Sequence, residues 1–279
     1  MKSITMIFIS AAYESVSTTR QPRAAKIYVM DHALAALAAQ HDELDGMLHH
    51  ATDADWENPT RCPGWTVADV VLHLAQTDEL ALASIEGRIA EAAASWIEGA
   101  GSGTVDDLAG AFVAQQRGAP PQEVLARWQA GTAALRAAFA TVDPSARLTW
   151  VAGQLSARTL ATTRVSETWI HTGDVAEALG IARTPGPQLE QIVRLAWRTL
   201  PYAFARDGKE LAGPVAVELT APDGETWAFG DTETARTTVR GPATEFCEVA
   251  ARRLDPAESG LTATGPDAKE VLALVRTYA

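Results

Sequence analysis

Lysine is scarce in this chain: Lys2, Lys26, Lys209 and Lys269 are the four that occur among 279 residues. Acidic residues outnumber basic ones, 35 to 23, for a formal net charge of -12. A phosphate-binding surface needs clustered Lys and Arg, so nucleic acid is excluded as an expected partner. Cysteine is equally sparse. Cys62 and Cys247 lie far apart and leave no Cys-x-x-Cys pair, which points to a reduced, cytoplasmic setting. Long apolar runs are missing too, and no segment is expected to cross a membrane. The run from Met1 to Ala12 looks faintly like a signal peptide, with one Lys and a short apolar core, but is too short to span a bilayer. Residues 1 to 29 are read as a disordered leader or a mispredicted start, because Met30 opens the first clear helical pattern.

What the chain does have is apolar content, 47% hydrophobic residues, enough for a real core in one large domain or two smaller ones. Leu34, Leu37, Ala38, Leu44 and Leu48 recur at helical spacing, predicting a first helix over 31 to 51. A loop over 53 to 65 follows. Thr66 with Asp69 three residues on is a capping-box-like start for a second helix running to about Arg88. A third helix follows Pro120-Pro121 and runs to about Val142; a fourth runs from near Ser156 to Gly180. The expected fold class is α+β: an up-and-down four-helix bundle over residues 30 to 182, then a small α/β domain over 183 to 279.

The chemistry sits in the fourth helix. Glu167 and His171 are four residues apart, so they share one helical face with Cβ atoms about 5–6 Å apart, close enough to reach one ion. His73, between Leu72 and Leu74 in the second helix, is the candidate third ligand. A carboxylate with two imidazoles leaves coordination positions open, which is the pattern of a catalytic metal site. The zincin pattern His-Glu-x-x-His is excluded, because its slots before His171 hold Glu167 and Thr168.

The segment around His73 carries a Trp at 56, Pro59-Thr60, the loop Cys62-Pro63-Gly64-Trp65, and then a helix with a histidine. The segment around His171 carries Arg164, Glu167, His171, Asp174 and a helix-ending Gly180. Together they resemble the mycothiol-dependent maleylpyruvate isomerase family, within the DinB-like group of metal-binding four-helix bundles. The resemblance covers about residues 30 to 180. It implies a divalent metal, most plausibly zinc, held by His73, Glu167 and His171, and mycothiol as thiol cosubstrate. It further implies addition of that thiol to an activated cis alkene of a small electrophilic substrate, followed by isomerisation or S-transfer. Arg164 is then expected either to orient Glu167 or to bind an anionic substrate. Asp174 is either a partner for the His171 imidazole or a solvated surface carboxylate. Cys62 reads as a small buried residue, and Trp56 and Trp65 as core packing.

After Pro185 the pattern changes. Leu189 to Arg206 reads as a helix, and Val215 to Thr220 alternates as a strand. Ala221-Pro222-Asp223-Gly224 turns into a second strand ending at Phe229, the strongest hairpin signal in the chain. A strand over 237 to 240, a helix from Pro242 to Arg253, a strand over 261 to 264 and a helix from Asp267 to Tyr278 complete this half. It resembles a wyosine-base-formation-type domain, from which no activity is carried over. Arg253, or its neighbour Arg252, is the position for the C-terminal arginine that the isomerases use. Two functions stay open: a metal- and mycothiol-dependent enzyme, monomeric or homodimeric, or a metal-stabilised binding module without chemistry.

Overall fold

Residues 23–100, 105–151 and 153–277 are described by a computed structural model of the protein. Helix α1 spans Arg23–His49 and so starts ahead of Met30; the remainder of the expected leader, residues 1–22, lies outside the described residues. Helices α2 (Val67–Ile85), α3 (Ile89–Ala100), α4 (Val105–Gln116) and α5 (Pro121–Thr141) follow, then a short hairpin of β1 (Arg147–Trp150) and β2 (Gly153–Ser156). Helix α6 covers Ala157–Ala178. The four-helix bundle is formed by α1, α2, α5 and α6, with α2 packed against both α5 and α6.

The expected second helix stops earlier than Arg88, because Gly87 takes a left-handed φ of 74°. Beyond it, α3 and α4 occupy a stretch that carried no sequence expectation. The β1–β2 hairpin was likewise not expected, and it pairs Leu148 with Leu155, both buried.

Helix α2 starts where its sequence places it. The Thr66 hydroxyl accepts from the Asp69 backbone N–H, and the Asp69 carboxylate accepts from the Thr66 backbone N–H, closing a capping box. Arg117 at the end of α4 donates to the other Asp69 oxygen at 2.8 Å and to the Gly64 carbonyl, tying the loop before α2 to the bundle. Ser156 caps α6 by accepting from the Thr159 N–H at 3.2 Å. That helix is closed two residues beyond Ala178 by Gly180, whose φ of 66° allows the Ile181 N–H to reach back to the Ala176 carbonyl.

The second half runs α7 (Leu189–Arg206), β3 (Val215–Thr220), β4 (Thr226–Phe229), β5 (Thr237–Pro242), α8 (Ala243–Ala250), β6 (Thr262–Thr264) and α9 (Ala268–Leu274). The sheet order is β4-β3-β5-β6, with β3 parallel to β5 and the outer pairs antiparallel. One apolar cluster runs without a break from Val165 and Trp169 of the bundle through Leu189 and Phe204 to Phe246 and Val217. The last helix ends at Leu274, short of Tyr278, which lies outside the described residues.

Helix α8 also ends short of the expected Arg253. The Arg252 N–H bonds the Val249 carbonyl and the Arg253 N–H bonds the Glu248 carbonyl, the two reverse bonds of a Schellman close. Such a close places one residue in the left-handed region, usually glycine. Here that residue is Arg252, with φ 60°, the one non-glycine with positive φ among the described residues. A β-carbon there costs about 1–2 kcal/mol. The turn aims consecutive arginines at different targets: Arg252 donates to the Ala273 carbonyl, and Arg253 points back into the bundle.

Candidate metal centre

On α6, positions 164, 167, 171 and 174 follow the 3–4 residue spacing of one helical face, and α2 lies antiparallel beside it. His73 Nε2 stands 2.9 Å from Glu167 Oε1, and His171 Nε2 stands 3.5 Å from the same oxygen. One donor atom from each of the three falls within 4.8 Å of the others. The structure thus brings together the three ligands expected from the sequence. Both histidines are buried, while Glu167 keeps some exposure toward a cavity of about 640 Å³.

The ring orientations suit a cation. His171 Nδ1 lies 3.0 Å from Asp174 Oδ2, so its N–H donates there and Nε2 is turned to the Glu167 side. Arg253 grips the same Asp174 with two N–H donors, Nε at 2.7 Å and Nη2 at 2.7 Å. Asp174 is 1% exposed, so of its two expected readings the structure gives the imidazole partner and not a solvated carboxylate.

A second group of donor atoms, Cys62, His171 and Asp174, also lies within 4.8 Å. Its carboxylate is already bound by Arg253 and its imidazole nitrogen by Asp174. Among the described residues, the set of His73, Glu167 and His171 is the one whose donor atoms are not already held by an arginine. Two imidazoles and one carboxylate fit a divalent ion of the zinc type and leave room for a further ligand.

Charge follows from these contacts. Burial works to raise the Glu167 carboxyl, but hydrogen bonds from His171 and His73 hold it well below the usual carboxylate range. Burial works to lower His171, yet its bonds to Asp174, Cys62 and Glu167 push it well above the ordinary imidazole value. Burial wins at His73, whose pKa is lowered. For Asp174, burial opposes ionisation but the bonds from His171 and Arg253 overcome it and depress the pKa strongly.

Arg164 is 2% exposed and donates to Asp78 Oδ1 at 2.9 Å and to the Thr77 hydroxyl at 3.0 Å. Its guanidinium cross-links α6 to α2 through Nε and Nη2, and the side chain also lines the cavity. Cys62 is half-buried on the cavity wall, not a sealed core residue: its Sγ lies 3.3 Å from Asp174 Oδ2 and 3.5 Å from Arg253 Nη2. Trp56 is buried as expected. Trp65 is partly buried and packs against the apolar cluster of the bundle as expected, and its ring also lies 5.0 Å from His73 and 6.4 Å from His171 where it lines the cavity.

The sequence reading passed over Arg61, which links the loop before α2 to the second half through the Arg253 carbonyl at 2.9 Å and to α6 through Glu177 at 3.2 Å. It also passed over Tyr202 and Arg276, which wall the cavity from the C-terminal side. None of these carried a local signal, since their relevance depends on how the two halves meet.

Fold and site together define a helical bundle with a candidate divalent-metal centre, closed on one side by an α/β domain. The sequence model for the mycothiol maleylpyruvate isomerase N-terminal domain matches residues 37–176, and the chain belongs to that family. It is 34% identical, over 88% of its length and 95% of the relative's, to an uncharacterized protein of Mycobacterium tuberculosis present in strains CDC 1551 and H37Rv. A crystal structure of the mycothiol-dependent maleylpyruvate isomerase superposes with a TM-score of 0.57 at 18% identity, covering 86% of this chain and 95% of that one. A histidine-to-alanine mutant of that isomerase matches with the same TM-score at 17% identity. At these identities the likeness establishes the shared α+β fold.

Proposed function

We propose that this protein is a metal- and mycothiol-dependent enzyme of the cytoplasm that adds the thiol to an activated alkene, giving cis–trans isomerisation or S-transfer. The observation that supports this reading is that donor atoms of His73, Glu167 and His171 lie within 4.8 Å of one another at the wall of an open cavity, with Asp174 and Arg253 bonded in line behind the His171 ring. These three side chains would hold a divalent ion, zinc above all. When bound, such an ion stabilises a thiolate at neutral pH, where a free thiol is mostly protonated.

The protein's own groups do the rest. Asp174 takes the Nδ1 proton of His171 as a hydrogen bond, keeping Nε2 toward Glu167. Arg253 neutralises Asp174, so that carboxylate stays committed to His171. Trp65 covers the imidazole pair and keeps water from one side of it. Addition of the thiolate sulfur to one alkene carbon leaves a carbon–carbon single bond. Rotation about it and expulsion of the thiolate return the trans isomer with no net change in atoms. Protonation of the adduct carbon in place of expulsion gives the S-conjugate.

The test is an assay of zinc-loaded protein with mycothiol against maleylpyruvate and generic electrophiles. Turnover that requires both metal and thiol is the expected result. Absence of thiol-dependent reaction with every electrophile supports a binding module instead.

A further inference from the structure

The cavity beside the candidate metal centre is not uniform along its length. Along α2, His73, Thr77 and Leu80 follow one another on the same face, which puts Leu80 about 10 Å from His73 at 1.5 Å per residue. Helix α6 runs the other way, so Thr163 lies one turn from Glu167 in the same direction. At the far end the cavity is walled by Leu80 and Ala109 and by Trp150, Val151 and Leu155 of the β1–β2 hairpin, with Asp107 of α4 as the charged residue of that helix in the lining. The hairpin is fixed at that end because Ser84, one turn past Leu80, donates its hydroxyl to the Thr149 carbonyl at 2.6 Å.

On the α2 and α6 walls between the two ends, the polar side chains are turned largely to protein partners. The Thr77 hydroxyl donates to the His73 carbonyl at 2.9 Å, and the Thr163 hydroxyl to the Leu160 carbonyl at 2.7 Å. Arg164 donates to Asp78 and Thr77. Both hydroxyls and the Arg164 Nε and Nη2 donors are thus directed at acceptors inside the protein. A cavity with a cation-binding polar end and an apolar arm selects an amphipathic ligand, because apolar surface gains by burial while an unpaired polar group there loses. A short dicarboxylate would leave the arm unfilled.

We infer that the electrophile taken by this site carries an alkyl or aryl group that occupies the arm walled by Leu80, Ala109, Trp150, Val151 and Leu155, with its reactive carbon at the metal end. This rests on the metal-centre reading proposed above.

The test uses linear alkyl hydroxamates, from acetyl to octanoyl, as probes with a metal-binding head and a variable tail. Their dissociation constants are measured by calorimetry on zinc-loaded and on chelator-stripped protein. The chain-length slope reports the arm, and the offset between the two forms reports the metal. A slope of about three- to fourfold tighter binding per methylene, in either form, supports the arm. In the variant Ala109→Phe the gain should stop at shorter chains while acetohydroxamate binds as before. A flat series, with acetyl and octanoyl probes bound equally in both forms, overturns the inference. A slope without any offset keeps the arm and removes the metal-centre reading.

Discussion

Arg253 and Asp174, 79 residues apart in sequence, form a two-pronged ion pair that joins the C-terminal half to the metal-facing helix. The carboxylate is buried, and its other contacts are the His171 imidazole and the Cys62 thiol, so one arginine both docks the two halves and sets a candidate ligand's orientation. Breaking a buried pair from one side leaves an uncompensated charge, at about 3–5 kcal/mol. Arg253→Met is expected to lose about 3 kcal/mol in urea unfolding and to weaken metal binding. Arg253→Lys keeps the charge but not the fork, so it should recover only part of both.

His171→Ala is expected to bind metal much more weakly while keeping the helical fold. The bundle is held by apolar packing around residues such as Trp56, Leu74, Leu135 and Leu160, all nearly inaccessible to water. Far-ultraviolet circular dichroism of the variant, and of the chelated wild type, should stay helical. A random-coil spectrum on chelation would make the ion a structural one.

Much of this was legible in the sequence. Glu167 and His171 are local to one helix, so their spacing announces a shared face, and the capping pair Thr66 and Asp69 fixes where the helix carrying His73 begins. The pieces that escaped are of two kinds. Strands β1 and β2 are four residues each, too short for an alternating pattern to stand out, and α3 is an alanine-rich run with few strongly apolar residues. The other misses are long-range. Nothing local says that Cys62 will face Asp174, or that Arg164 will turn to Asp78. Choosing between Arg252 and Arg253 required the left-handed turn at Arg252, which a β-carbon makes hard to anticipate.

The cap itself is measurable. Thr66→Ala removes the acceptor for the Asp69 N–H and should cost about 1 kcal/mol in denaturant unfolding. Thr66→Ser keeps the hydroxyl and should lose markedly less.

His41 supplies a pH signature away from the metal ligands. Burial, aided by Arg136 and Arg164, lowers its pKa to about 3, and its nearest carboxylate oxygen, on Asp78, is 3.9 Å away. A histidine with a depressed folded pKa contributes stability that is present above its unfolded value near 6.5 and is lost as pH falls toward 3. The unfolded chain then takes up a proton that the fold refuses. Between pH 6.5 and 5 this should remove up to about 1.4 kcal/mol per pH unit. His41→Leu should flatten the stability profile over that window.

The most direct measurement replaces zinc by cobalt(II) and records the absorption spectrum as mycothiol is added. Binding through His73, Glu167 and His171 predicts visible d–d bands on metal loading, with no sulfur-to-cobalt charge-transfer band. That band should then grow in and saturate with mycothiol, and both features should be lost in His73→Ala. A protein that shows no d–d bands, that shows the charge-transfer band before any thiol is added, or whose cobalt spectrum ignores mycothiol would contradict the account.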